Sequence, residues 1–242
     1  MRITVLLLFC SLHLAAQKTV TTEEQTWFGV FSQIRFSQRW GLWTDAHLRL
    51  KDDFVGDLSQ SIVRAGPTFY ITDDVRLTAA YAWVNTFPAD GHENISRPEH
   101  RPWQQVQWFT RWPKARLMQT MRLEERFRRK LLNDNALGEG YSYNPRVRYG
   151  FALFLPLTKK GLNPGSLQFL LNNEIMVNFG KNIVYNHFDQ NRFFVGLAYQ
   201  INPHAQLQGG YLNVYQQLPS GDHFNKIHAV RLFYFHNFDL RK

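Results

Sequence analysis

The chain has 242 residues, 44% of them hydrophobic and 15% aromatic, with one cysteine and a formal charge of +9. That length suits a single domain, and one cysteine excludes a fold held by intrachain disulfides. The basic excess points to acidic partners, and because the opening residues predict export, small anionic solutes and anionic lipid headgroups are expected rather than nucleic acid.

The first predicted element is a leader. In MRITVLLLFCSLHLAAQ, Arg2 precedes an apolar run that closes on Leu14, Ala15 and Ala16, the layout of a secretory signal over 1–16. It shows none of the polar face that the first helix of a soluble domain would carry. Phe9 fills the position where a lipid-attachment signal needs a small residue, so Cys10 is expected to leave with the leader, and loss of Arg2 takes the charge to +8. In the remaining domain, 17–242, no apolar run approaches the ~20 residues of a membrane-spanning helix.

From residue 26 onward apolar residues recur at every second position, never at every third or fourth, so the elements predicted are strands. In chain order they are 26–36, 41–50, 60–71, 75–85, 98–111, 115–128, 145–155, 167–179, 191–201, 205–215 and 227–238. The second sets Leu42, Thr44, Ala46, Leu48 and Leu50 against Trp43, Asp45, His47, Arg49 and Lys51. The seventh opposes Val147, Tyr149, Phe151, Leu153 and Leu155 to Arg146, Arg148, Gly150 and Ala152, and the ninth opposes Phe193, Val195, Leu197, Tyr199 and Ile201 to Arg192, Gly196, Ala198 and Gln200. In the eleventh, His228 and His236 share the apolar face of Val230, Leu232 and Tyr234, as interfacial anchors would, and Arg231 takes the other.

Connections alternate in length. SQRW, TDD, WPK and NPH are tight turns, where Pro113 and Pro203 preset the backbone angle and Asp73 or Asn202 can bond its own backbone. TFPADGHENISR and RKLLNDNALGEGYSYN are longer and polar, and LPLTKKGLNPGS is a medium link on the short-turn side. The NIS at Asn94 is taken as ordinary loop. The fold class predicted is all-β, an antiparallel transmembrane β-barrel of about ten to twelve strands with short periplasmic turns and long extracellular loops. Trp27, Trp40, Trp43, Trp83, Trp108 and Trp112 near strand ends fit its aromatic girdles. A twelfth strand within 17–25 would give an even count.

A soluble lipocalin-like barrel alternates in the same way but with its apolar face inward. In a bilayer the sheet must close so that no backbone group is left unpaired. Each lipid-facing arginine at mid-depth costs about 2–4 kcal/mol, so the stripe of Arg116, Arg122, Glu124, Arg126 and Arg128 must line the lumen. Such a barrel would meet outer-membrane lipid and, during insertion, the barrel-assembly machinery.

EHRPWQQVQW alternates less cleanly. Trp103, Gln105, Gln107 and Phe109 fall on one side and His100, Pro102, Gln104, Val106 and Trp108 on the other, which predicts a bulge near Pro102 or an upper half outside the lipid. EHRPWQQ, RLEERFR, DQNRFFVGLAYQ and HNFDLRK together resemble a bacterial family known as domain of unknown function 2490. The resemblance covers nearly the whole predicted domain and implies an outer-membrane β-barrel, with no established reaction or ligand.

The candidate lumen or ligand residues are Glu99, His100, Trp103, Gln104, Gln105, Arg122, Glu124, Arg126, Arg146, Arg148, Glu174 and Arg192. They support an Arg-rich lumen that passes or binds small anions. The alternatives are a plugged barrel, filled by a ladder of ion pairs and serving as a structural or interaction protein, and a lipid-modifying enzyme with His100 as base. No serine motif accompanies His100, and Glu99, His100, His92, His223 and His228 lack metal-ligand spacing. No catalytic residue, metal or cofactor is therefore assigned.

Overall fold

A computed structural model of the chain describes residues 18–241. The expected leader, with Cys10, lies outside them. The described chain is a closed ring of eleven strands in sequence order. They are β1 (Thr19–Arg35), β2 (Trp40–Lys51), β3 (Asp57–Tyr70), β4 (Val75–Thr86), β5 (Arg97–Trp112), β6 (Ala115–Asn133), β7 (Ala136–Pro156), β8 (Leu167–Asn178), β9 (Phe188–Gln200), β10 (Ala205–Gln217) and β11 (His223–Asp239).

All neighbours are antiparallel except where the ring closes, β1 pairing parallel with β11 from Thr19↔His223 to Arg35↔Asp239. An up-and-down chain with an odd number of strands starts and ends in the same direction, so its closure has to be parallel. The twelfth strand entertained within 17–25 is not formed. Residues from Thr19 to Gln25 instead lengthen β1, where pairing along β11 satisfies backbone groups that a separate short strand would leave at an edge.

The links at one rim, the turn rim, are 36–39, 71–74, 113–114, 157–166 and 201–204; those at the opposite, hairpin rim are 52–56, 87–96, 134–135, 179–187 and 218–222. The long loop expected over RKLLNDNALGEGYSYN is corrected. β6 and β7 continue through most of it and meet at the two-residue turn Asp134–Asn135, because pairing within the hairpin satisfies the backbone that a free loop would leave to water. Asn202 caps its turn as expected, its Oδ1 accepting from the amides of His204 and Ala205 at 2.8 Å each. At 71–74 Thr72 does this in place of Asp73, its hydroxyl accepting from Asp74 and Val75, while Asp73 accepts from Arg35 Nη1 at 2.6 Å.

The bulge expected near Pro102 is also absent. β4 pairs through it without a shift, Tyr81↔Pro102. Against β6 the register is the same on both sides, His100↔Phe127 and Trp103↔Glu124, so the missing proline donor breaks the ladder locally without displacing it.

The two-residue period puts the apolar faces outside and the charged faces inside, the inverse of a soluble barrel. Leu48, Val63, Leu77, Tyr149, Phe193 and Val230 are exposed on the outer wall, whereas Arg64, Arg101, Arg122, Glu124, Arg146 and Arg148 are buried within the ring. Trp40, Trp83 and Trp112 stand outward near strand ends and are more than two-fifths exposed. Trp27 and Trp43, expected in the girdles, point into the lumen instead and are 4% and 8% exposed, because their odd numbers put them in phase with the inward charges of β1 and β2. The interior is divided: Trp27, Phe154, Leu170, Phe194, Leu212 and Phe233 form an apolar cluster on the β7–β11 and β1 side, and Trp43, Ile62, Val84 and Trp103 a smaller one under β2–β5.

Candidate functional site

The interior site is assembled by register. On β6 and β7 Glu124 lies opposite Arg146 and Arg122 opposite Arg148, while on β5 Trp103 lies opposite Glu124 and Gln105 opposite Arg122. Inward parity and these pairings concentrate the charges at one height. Glu124, fully buried, accepts from Arg146 Nη2 at 2.5 Å and from Arg148 Nη1 at 2.6 Å. Arg122 and Arg101 stand further off, at 3.7 and 4.0 Å.

The network extends to both sides. Arg146 also reaches Asp189 of β9, Arg148 reaches Glu174 of β8 at 2.6 Å, and Arg192 lies 3.7 Å from Glu174. Arg101 and Arg126 both donate to Glu99, at 2.6 and 2.9 Å. Across the ring Asp45 accepts from Arg64 Nε at 2.7 Å, lies 2.9 Å from the His47 ring and accepts from the Trp43 indole. A carboxylate taken from water needs such multiple donors to offset its desolvation.

The arginines exceed this supply of carboxylate. Gln105 alone accepts from Arg122 Nε and Nη2, at 2.9 and 2.7 Å, and Arg122 Nη1 has no hydrogen-bond partner. The Arg122 guanidinium lies 4.0 Å from the centre of the Trp103 ring. Arg49 lies 3.6 Å above Trp27, and its Nε is unpartnered. Arg231 stacks 3.3 Å above Phe194. That stack depends on two facing glycines, Gly196 of β9 and Gly210 of β10. A Cβ on either would stand 2.7 and 3.0 Å from Phe194 Cζ, so the bare backbone is what lets the ring lie against the wall.

Between the charged and apolar sides lies a cavity of about 510 Å³, lined by Arg49, Arg64, Arg122, Arg148, Arg192 and Arg231 on the basic side. Its exposed lining residues, Asp73, Arg111, Pro203, His204 and Asn237, all belong to the turn rim. No lining residue toward the hairpin rim is exposed, and Glu99, Asn144, Asn178 and Asp189, all buried, fill the ring there. The cavity opens at the turn rim and narrows toward the hairpin rim.

Of the residues predicted from sequence, Glu99, Trp103, Gln105, Arg122, Glu124, Arg126, Arg146, Arg148, Glu174 and Arg192 meet inside the ring. His100 and Gln104 do not. Neighbours in a strand face opposite ways, so both lie on the outer wall. There His100 bridges the Tyr81 and Tyr141 hydroxyls, and exposed Gln104 sits in an apolar depression with Pro67, Leu77, Ala79, Val106 and Leu123. Asp45, Arg49, Arg64, Arg101 and Asp189 belong to the site but were not among the candidates. In-phase parity with Trp43, Ile62 and Trp103 was the available signal for all but Asp189, which lies beyond the strand predicted over 191–201.

Among the described residues the hydrogen-bond partners of the His100 ring are the Tyr81 and Tyr141 hydroxyls, with no serine or carboxylate beside it. In the 218–222 turn, Ser220 and Asp222 both approach Nδ1 of His223, at 3.2 and 2.8 Å. A proton relay needs the serine and the carboxylate on different ring nitrogens, so this contact only fastens the turn. Among the described residues no three His, Cys, Asp or Glu side chains form a metal-ligand set.

No curated protein and no solved structure matches the chain. The model of a family described as a protein of unknown function, DUF2490, matches residues 24–225, from within β1 to the start of β11. The match spans nearly the whole ring, and the chain therefore belongs to the DUF2490 family.

Proposed function

We propose that this protein is an outer-membrane β-barrel that binds small anionic solutes in a basic cup open at the turn rim. The observation that carries the reading is the surplus of inward guanidinium over inward carboxylate beside a cavity that opens at the turn rim. Among the described residues Arg49, Arg116 and Arg231 make no salt bridge to a carboxylate, and all three line the cavity. An entering oxyanion would meet guanidinium groups that no carboxylate neutralises and could accept charge-assisted hydrogen bonds from them.

The outward apolar wall supports insertion in a bilayer, where a closed sheet is the one β architecture that leaves no edge. The shorter average link at the turn rim supports a periplasmic position for that rim and the mouth. Titration of the refolded protein in neutral detergent with inorganic phosphate tests the role. Heat on binding that weakens with added sodium chloride is expected, and no binding up to high millimolar phosphate overturns it.

A filled barrel with a structural or interaction role is the second reading, favoured by the packed ion pairs between β5 and β9. The two separate in the same titration, since a filled barrel binds nothing. Neither predicts steady current across a planar bilayer, and a stable open conductance would replace both with a channel.

A further inference from the structure

We infer that the occupant of the cup is a small organic anion with one apolar end, held head first, its anionic group on Arg49, Arg122 and Arg192 and its body against a phenylalanine wall nearer the mouth. The inference rests on the anion-binding role proposed above and adds the chemistry of the solute.

Two features of the cavity are ordered along its axis. Toward the hairpin rim Arg49 and Arg192 share the Trp27 ring, at 3.6 and 5.0 Å from its centre. Arg122, 8% exposed, lines the same cavity, its Nη1 buried and without a hydrogen-bond partner among the described residues. Arg64, Arg148 and Arg192 line the same cavity and are held by Asp45, by Glu124 and Glu174, and by Gln190, whereas Arg49 makes no salt bridge among the described residues. A phosphate, sulfonate or carboxylate group supplies several acceptors at once to a guanidinium left without a carboxylate.

Nearer the mouth the lining changes. Phe31, Phe154, Leu170, Phe233 and Phe235 come from β1, β7, β8 and β11 and form one continuous side of the cavity. Arg116, 4.4 Å above the Phe154 ring, keeps that stretch basic. An inorganic ion seated on the arginines would leave this wall facing water, whereas an aromatic or short aliphatic body would cover it. The volume of about 510 Å³ falls in the range of sites for small organic ligands, ~300–1,000 Å³.

The test compares phenyl phosphate, inorganic phosphate and phenol by calorimetry on the full refolded chain, with the heat-shifted gel band as the folding control. Phenyl phosphate is expected to bind at least about tenfold more tightly than either of the others. Arg49→Gln removes a guanidinium that no carboxylate holds, so the fold tolerates it, and it should weaken both phosphates by about tenfold. Arg122→Gln should do the same, with Glu124 still paired to Arg146 and Arg148. Phe233→Leu should narrow the preference for phenyl phosphate and leave inorganic phosphate unchanged.

Equal affinities for the two phosphates overturn the inference and leave the anion-binding role standing. Phenol binding as tightly as phenyl phosphate also overturns it, since the charged end would then not be read. Absence of binding by all three removes the inference and the proposed role together.

Discussion

Glu124 carries the interior network more than any other residue, because one buried carboxylate holds two guanidiniums and faces two more. Replacing it by Gln leaves Arg146 with Asp189 and Arg148 with Glu174, but a concentration of positive charge loses its centre. Breaking a buried pair in this way costs about 3–5 kcal/mol. Urea unfolding of refolded Glu124→Gln should show a loss of that order, and an unchanged midpoint would mean that water reaches the site. At the mouth, Arg35 beside Asp73 holds that exposed carboxyl below its ordinary value. Because the folded value is the lower one, the pair's contribution is full above the unfolded value of ~4 and disappears as pH falls through the folded value. The stability difference between wild type and Asp73→Asn should therefore be small at pH 7, screened by salt, and absent in strong acid. Residue chemistry was the least legible scale: that Glu99 and His100 face opposite ways follows from parity, but that Arg146 spans to Asp189 depends on where β9 begins.

Strands were legible as elements because alternation is a local property. All eleven predicted segments correspond to strands, and the errors fall at their ends, where β1, β6 and β7 continue past the clean alternation. Polar residues such as Arg129 and Asn133 read as loop but pair as strand, with Tyr141 and Ala136, since backbone hydrogen bonds do not depend on side-chain polarity. Between β9 and β10 the facing glycines give an element-level prediction. Gly210→Val drives a branched side chain into the β9 backbone, where a bare Cβ would already crowd the Val195 carbonyl oxygen and stand 2.5 Å from Gly196 Cα, and against the Phe194 ring, its Cζ 3.0 Å away. The displacement should cost about 1–3 kcal/mol and loosen the Arg231 stack. Thermal unfolding of the refolded variant measures it, and a change below ~0.5 kcal/mol would show that the β9–β10 backbone yields there at little cost.

At the scale of the whole molecule the outer wall decides the environment. Leu197, 44% exposed between Phe193 and Ile201 on that wall, should tolerate arginine in detergent but lose about 2–4 kcal/mol in a bilayer. Folding yields into phosphatidylcholine liposomes and into detergent micelles, compared for wild type and Leu197→Arg, give the difference. Equal yields in the two media would argue that this wall does not meet lipid.

The sequence by itself determined that the chain is strand throughout and which residues share a face, because a two-residue period is set by backbone geometry within each strand. It also required, for a barrel in lipid, that the arginine stripe face inward, since no net stability of ~5–15 kcal/mol absorbs several arginines in hydrocarbon. Only the tertiary structure decided that eleven strands close with a parallel seam, that Trp27 stacks with arginines and Trp43 packs against Trp103 inside rather than anchoring outside, and that the cavity opens at the turn rim. Those outcomes depend on register between strands and on how side chains from opposite walls fill a common interior, and neither is encoded in the pattern of any single strand.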